Sequence, residues 1–301
     1  MDKAQLCGII PPMVTPMYED GSLNLEAVPV IVDYLLAGGV HGIFYPGSQS
    51  ESFALSGDER WHMLEAVLKA VDGRVPVIGG TGTITTRDTI AYTRRAEQMG
   101  VDAVSIITPY FISPSQDELY AHYAAIAEAV SLPVLAYSNP SRTGGVRIAP
   151  DTLGRLARDI SHFIGVKDSS GDLSETAAIL HACPDDFIVF VGRDSLIYGG
   201  LCYGTAGAVA MTANVVPGLL VGIYTAFQNG DHDQARALQA RLAVFRDALP
   251  RLGSYPVQIK EAMNLLGLPV GPARRPILPL NETSRNQLRT MLKNLGCETV
   301  V

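Results

Sequence analysis

Cysteine is scarce: the 301 residues include four, Cys7, Cys183, Cys202 and Cys297. No two of them form a C-x-x-C pair, so neither a disulfide frame nor a thiolate zinc site is expected, and the thiols read as reduced. The six histidines never fall in H-x-H or H-E-x-x-H spacing, which argues against metal-dependent chemistry. Basic runs are missing too. Lys and Arg total 23 against 30 Asp and Glu, a formal net charge of -7, so nucleic acid is not an expected partner. The opening residues, Met1-Asp2-Lys3-Ala4-Gln5-Leu6, hold no long apolar segment. Neither a signal peptide nor a membrane span is expected, and the reading is cytoplasmic. No G-x-G-x-x-G turn follows the first strand candidate, and Thr81-Gly82-Thr83 has no P-loop lysine after it, so dinucleotide and nucleotide chemistry recede.

What is present is an ordinary globular composition, 47% hydrophobic and 18% charged. Short apolar runs rich in β-branched residues recur as strand candidates at Gly8–Val14, Gly42–Tyr45, Val75–Gly79, Ala103–Ile107, Pro133–Tyr137, Phe163–Lys167, Phe187–Val191 and Ala206–Met211. Amphipathic stretches alternate with them, at Leu25–Leu36, Asp58–Val71, Thr86–Met99, Ser115–Val130, Pro150–Ala157 and Leu173–His181. Ser56 and Ser115 stand before acidic first turns as helix starts, and Gly38-Gly39, Gly73 and Gly100 mark helix ends. Eight strands with crossover helices predict an α/β fold, a closed (β/α)8 TIM barrel over residues 1–226. Residues 227–301 carry helical patterns only, at Asp231–Leu249, Pro256–Leu266 and Glu282–Leu295, and read as a C-terminal helical domain.

The chemistry concentrates at one strand. Phe163-Ile164-Gly165-Val166-Lys167-Asp168 is an apolar run with a lysine at its exit. Desolvation disfavours an ammonium and frees the amine as a nucleophile toward a carbonyl. The fifth strand candidate ends in Tyr137, and a phenol both donates and accepts a proton. In a parallel barrel the catalytic groups sit at the C-terminal strand ends. There the sequence also offers Gly47-Ser48-Gln49-Ser50-Glu51, Thr108-Pro109-Tyr110-Phe111, Gly192-Arg193-Asp194 and Thr212-Ala213-Asn214. Backbone N–H groups of Ser48 and Gln49 suit a carboxylate. Amine and phenol together suggest Schiff-base chemistry on a keto acid.

These motifs, in this order, resemble the pyruvate-dependent class I aldolases of the dihydrodipicolinate synthase and N-acetylneuraminate lyase family. The resemblance runs from Val14-Thr15-Pro16 through the motifs above to Pro256-Val257-Gln258-Ile259-Lys260 and Arg275-Pro276. It implies a lysine imine with pyruvate or another 2-oxo acid, no metal or organic cofactor, and a homotetramer or dimer of dimers. It assigns catalysis to Lys167 and Tyr137 and substrate binding to Ser48, Gln49, Arg142, Gly192, Val209 and Tyr110. For Tyr110 packing at a subunit interface is an equal reading, for Arg142 a surface ion pair is the alternative, and Arg193 faces either substrate or a neighbouring carboxylate. The chain departs from the family at Gln49 and Ser50, where threonine, asparagine or leucine and then glycine are usual. It departs again at Phe111, where the synthases carry a second tyrosine of a hydroxyl relay. The expected reaction is therefore cleavage of a hydroxylated or sugar-derived 2-oxo acid to pyruvate and an aldehyde. Condensation of pyruvate with aspartate semialdehyde by a 4-hydroxy-tetrahydrodipicolinate synthase is the alternative, which Arg142 favours. A dehydratase or deaminase of the same family and a non-catalytic 2-oxo-acid sensor complete the alternatives.

Overall fold

The computed structural model describes residues 6–300. Residues 1–5, read above for a leader segment, lie outside them. Eight strands alternate with helices along the chain in the order of a (β/α)8 barrel, and further helices follow at the C-terminus. The strands are short because a barrel strand is paired along both edges and needs to span only the core. No helix among the described residues is long and apolar enough to cross a membrane.

The chain divides into two compact units. The first comprises, among the described residues, 6–10 and 76–210. It holds β1 (Gly8–Ile10), β3 (Val77–Gly80), β4 (Ala103–Ile107), β5 (Val134–Ser138), β6 (Phe163–Asp168), β7 (Ile188–Val191) and β8 (Gly207–Val209), with helices α3 (Thr86–Met99), α4 (Gln116–Glu128), α5 (Pro150–Asp159), α6 (Leu173–Ala182) and α7 (Ile197–Tyr203) between them. Neighbouring strands pair in parallel, β3 with β4, then β5, β6, β7, β8 and back to β1. β5 and β6 are buried along their whole length, which is why they read as continuous apolar runs.

The second unit comprises, among the described residues, 11–75 and 211–300. It holds α1 (Ala27–Ala37), β2 (Ile43–Phe44), α2 (Gly57–Val71), α8 (Pro217–Gln228), α9 (His232–Ala248), α10 (Val257–Leu265) and α11 (Glu282–Asn294). β2 is tied by a parallel bridge from Pro12 to Phe44.

Element ends follow local chemistry. Ser56 caps α2 and Ser115 caps α4, each in a reciprocal box with a glutamate three residues on. Gly100 ends α3 in the left-handed region. The first strand stops at Ile10, short of the expected Val14, because Pro11 and Pro12 cannot donate to a ladder. Two of the crossover helices, α7 and α8, had not been placed on particular residues. The first is seven residues long with two internal glycines, and the second, PGLLVGIYTAFQ, has hardly a polar residue to mark a period.

Candidate active site

In the first unit, adjacent parallel strands set Tyr137 of β5 directly beside Lys167 of β6. Side chains directly opposite on neighbouring strands leave the same face of a sheet. The Lys167 Nζ stands 4.2 Å from the centroid of the Tyr137 ring. Both residues are buried, at 5% exposure each. Burial pushes the Lys167 ammonium below the usual lysine range; the Tyr137 phenol, hydrogen-bonded to it, and Asp194 oppose that shift without cancelling it. The free amine is thereby made available at lower pH than on a surface lysine.

Alternation along β6 divides the labour between neighbours. Asp168, next to Lys167, is also buried, but its two carboxylate oxygens accept from Ser170 N–H at 2.9 Å and Thr176 Oγ1 at 2.7 Å. It anchors the entry of α6, whereas Lys167 leaves the opposite face.

Beyond β5 the chain turns tightly. Asn139, 9% exposed, donates from Nδ2 to the Tyr137 Oη at 2.7 Å, and Ser141 Oγ donates to Asn139 Oδ1 at 2.8 Å. The Asn139 carbonyl accepts from Arg142 N–H at 2.9 Å and Thr143 Oγ1 at 3.1 Å. Arg142 itself is exposed on this turn, and Tyr110, past β4, is half-buried. Val209 is buried on β8 in register with Ile10. Gly192 donates its N–H to the Asp168 carbonyl at 2.6 Å, and a Cβ there would lie 1.8 Å from Ser169 Oγ, so a side chain at this position would force Ser169 to move. The Arg193 guanidinium lies over Gly171.

Sequence reasoning gave no role to Asn139 or Asp194. Asp194 is buried in the 3-10 turn Asp194–Leu196 and acts electrostatically on Lys167. The signal for Asn139 was its spacing: two residues past Tyr137 on an extended chain shares a face with it.

In the second unit, the Gly47–Glu51 loop is held from several directions. Ser50, where a glycine is usual, uses its hydroxyl twice: it accepts from Gly47 N–H at 2.9 Å and donates to the Met13 carbonyl at 2.5 Å. Glu51 adopts the left-handed region, φ 56°. Its carboxylate accepts from Lys260 Nζ at 3.0 Å and from Arg274 N–H at 2.7 Å, and the Lys260 and Glu51 side chains are fully buried. Lys260 also donates to the Pro272 carbonyl. Burial lowers the Lys260 ammonium from the usual lysine range, and the Glu51 charge counters it. Arg274 then bridges to Glu59 at 2.7 and 2.9 Å.

Within this held loop some groups remain unpaired. Among the described residues the Ser48 and Gln49 N–H groups have no partner, while Ser50 and Glu51 N–H bond within the loop. The Gln49 side chain is 1% exposed, and neither its oxygen nor its nitrogen has a hydrogen bond. A buried amide without partners forfeits about 1–3 kcal/mol per group.

Comparison with known proteins gives one consistent result. The family model described as "Dihydrodipicolinate synthetase family" matches residues 5–295. A 4-hydroxy-tetrahydrodipicolinate synthase of Methanopyrus kandleri is 39% identical over 293 residues, 97% of each chain. The crystal structure of a dihydrodipicolinate synthase from Bacillus anthracis superposes with a TM-score of 0.91 at 35% identity, covering 95% of this chain and 97% of that one. A prophage protein of the dihydrodipicolinic acid synthase family from E. coli K12, solved in complex with pyruvate, superposes with a TM-score of 0.93 at 32% identity, covering 97% and 99%.

Proposed function

This chain belongs to the dihydrodipicolinate synthetase family and is a lyase of the aldolase type, and we propose that it works by forming a Schiff base between Lys167 and pyruvate or a related 2-oxo acid. One observation carries the proposal: a buried amine whose protonation is disfavoured, with a phenol against it. Lys167 attacks the keto carbon and Tyr137 moves the protons that carbinolamine formation and collapse require. The protonated imine then accepts the electron pair of an adjacent carbon, either as a carbon–carbon bond breaks or before one forms.

The unpaired N–H groups of Ser48 and Gln49 suit the substrate carboxylate, as a backbone nest does. Arg142 suits a second acidic group, and Gly192, Val209 and Tyr110 line the same substrate in this reading. The division of the chain at residues 226 and 227, a tetrameric assembly and a cytoplasmic place belong to the reading as well.

Between the two reactions, synthesis of 4-hydroxy-tetrahydrodipicolinate from pyruvate and aspartate semialdehyde leads. The relatives that match over nearly all of the chain carry that name, and Arg142 is in keeping with it. Cleavage of a hydroxylated 2-oxo acid is the second reading, favoured by Gln49. A carboxylate would satisfy its N–H groups and leave its oxygen facing an anion, whereas a substrate hydroxyl both accepts and donates. Phe111, which has no hydroxyl, favours it too.

Incubation with pyruvate and borohydride, followed by peptide mapping, tests the proposal. The expected result is a reduced adduct on Lys167 that Lys167→Ala abolishes; its absence from the wild-type protein overturns the imine mechanism. Turnover of pyruvate with aspartate semialdehyde, measured beside aldehyde release from hydroxylated 2-oxo acids, decides between the reactions. Saturable pyruvate binding with neither turnover would leave a sensor.

A further inference from the structure

We propose that Asn139 is a positioning residue for the proton transfers at Lys167, acting through its side-chain amide on the Tyr137 phenol. This rests on the imine mechanism above and adds a component to it.

The geometry is specific. The Asn139 Nδ2 donates to the phenol oxygen at 2.7 Å, and its Oδ1 accepts from Ser141 Oγ at 2.8 Å. The serine thereby fixes the amide with its nitrogen toward the phenol. The backbone bonds from Arg142 N–H and Thr143 Oγ1 to the Asn139 carbonyl hold the residue in the turn. The ionisable groups around the pair include Lys167 from β6, Asp194 past β7, and Tyr123 of α4, which interacts with the Tyr137 backbone.

An amide neither gives up nor takes a proton under these conditions, so Asn139 is no relay member. Its N–H occupies one side of the phenol oxygen, and the phenolic hydrogen must point elsewhere. In the step that needs an acid, the carbinolamine hydroxyl leaves. Tyr137 gives its proton to that oxygen, the carbon–oxygen bond breaks to release water, and the nitrogen lone pair closes the carbon–nitrogen double bond. The products are a protonated imine, water and a phenolate. The charge that develops on the phenol oxygen is met by a fixed donor, and a hydrogen bond to an ion is stronger than one to a neutral group.

The test is the rate of borohydride-trapped adduct formation on Lys167 with pyruvate, followed across pH in the full chain. Asn139→Leu removes the donor at similar volume. Its rate is expected to fall about tenfold, as for loss of one bond to a charged group. The alkaline limb, where the phenol ionises, is expected to move to higher pH, because the phenolate has lost its donor. Ser141→Ala, which frees the amide to rotate, is expected to move rate and limb in the same directions by less. A wild-type rate in Asn139→Leu overturns the proposal. So does a reduced rate with an unmoved limb, which is what mere loosening of the turn produces. If Asn139→Leu does not fold, an unmoved limb in Ser141→Ala overturns it alone. A wild-type protein that traps no adduct removes both the imine mechanism and this inference; a wild-type adduct with unaltered variants removes only this inference.

Discussion

Lys167 pulls against the stability of the fold that holds it. A lysine buried at 5% exposure and driven toward its neutral form costs free energy that an apolar side chain would not. Lys167→Met is therefore expected to abolish the adduct and to raise unfolding free energy by about 1–2 kcal/mol, measured by urea denaturation. The pH dependence has a definite sign. The folded lysine holds its proton less tightly than the unfolded one, whose ordinary value is 10.5. The unfolded state binds more protons between the folded value and 10.5, so stability rises with pH through that window and is lost as pH falls through it. Lys167→Met is expected to erase this slope. Tyr137→Phe keeps the ring and removes the proton, and adduct formation is expected to slow by roughly 10²–10⁴-fold. Lys260→Met is expected to behave in the opposite sense to Lys167→Met. It strands a fully buried Glu51 and should lower stability by about 3–5 kcal/mol.

At the scale of elements, the site depends on strand parity and on how segments are started and stopped. Gly192 follows β7 in a position where a Cβ would collide with Ser169 Oγ just past β6. Gly192→Ala is expected to displace the end of β6 and reduce kcat with pyruvate as substrate, and Ser169→Gly in the same chain should restore part of it. The strands were legible in the sequence to within a few residues, because burial on both faces writes itself as a short apolar run. Their alternation with helices was legible for the same reason, and so was the serine at the start of α2 and α4. What escaped were elements without a period, α7 and α8, and relations that exist only once strands are paired. The bond from Asn139 to Tyr137 is local in sequence, yet nothing in composition distinguishes it from an ordinary turn asparagine. The Lys260–Glu51 pair is invisible for the opposite reason, since its partners lie far apart in the chain. Lysine and tyrosine at strand exits stood out because each sets a polar group at the end of an apolar run.

For the molecule as a whole, the most exposed large hydrophobic among the described residues is Phe111. Phe111 is 94% exposed and sits at φ 70°, a conformation that side chains of its size seldom adopt, and Ile112 beside it is half exposed. In the tetrameric assembly proposed above, an exposed aromatic of this kind would be covered by a neighbouring copy. Phe111→Asp is expected to shift sedimentation toward smaller species, while leaving the Lys167 adduct detectable in whatever species forms.

The bond from Lys260 to Glu51 spans 209 positions along the chain. During synthesis the carboxylate leaves the ribosome long before its counter-ion exists. A nascent chain must keep Glu51 in water until α10 has emerged, so the loop it governs takes its final form among the last parts of the protein. Any product that terminates before residue 260 would retain Lys167 and Tyr137 intact, yet lack the cation that fixes Ser48 and Gln49.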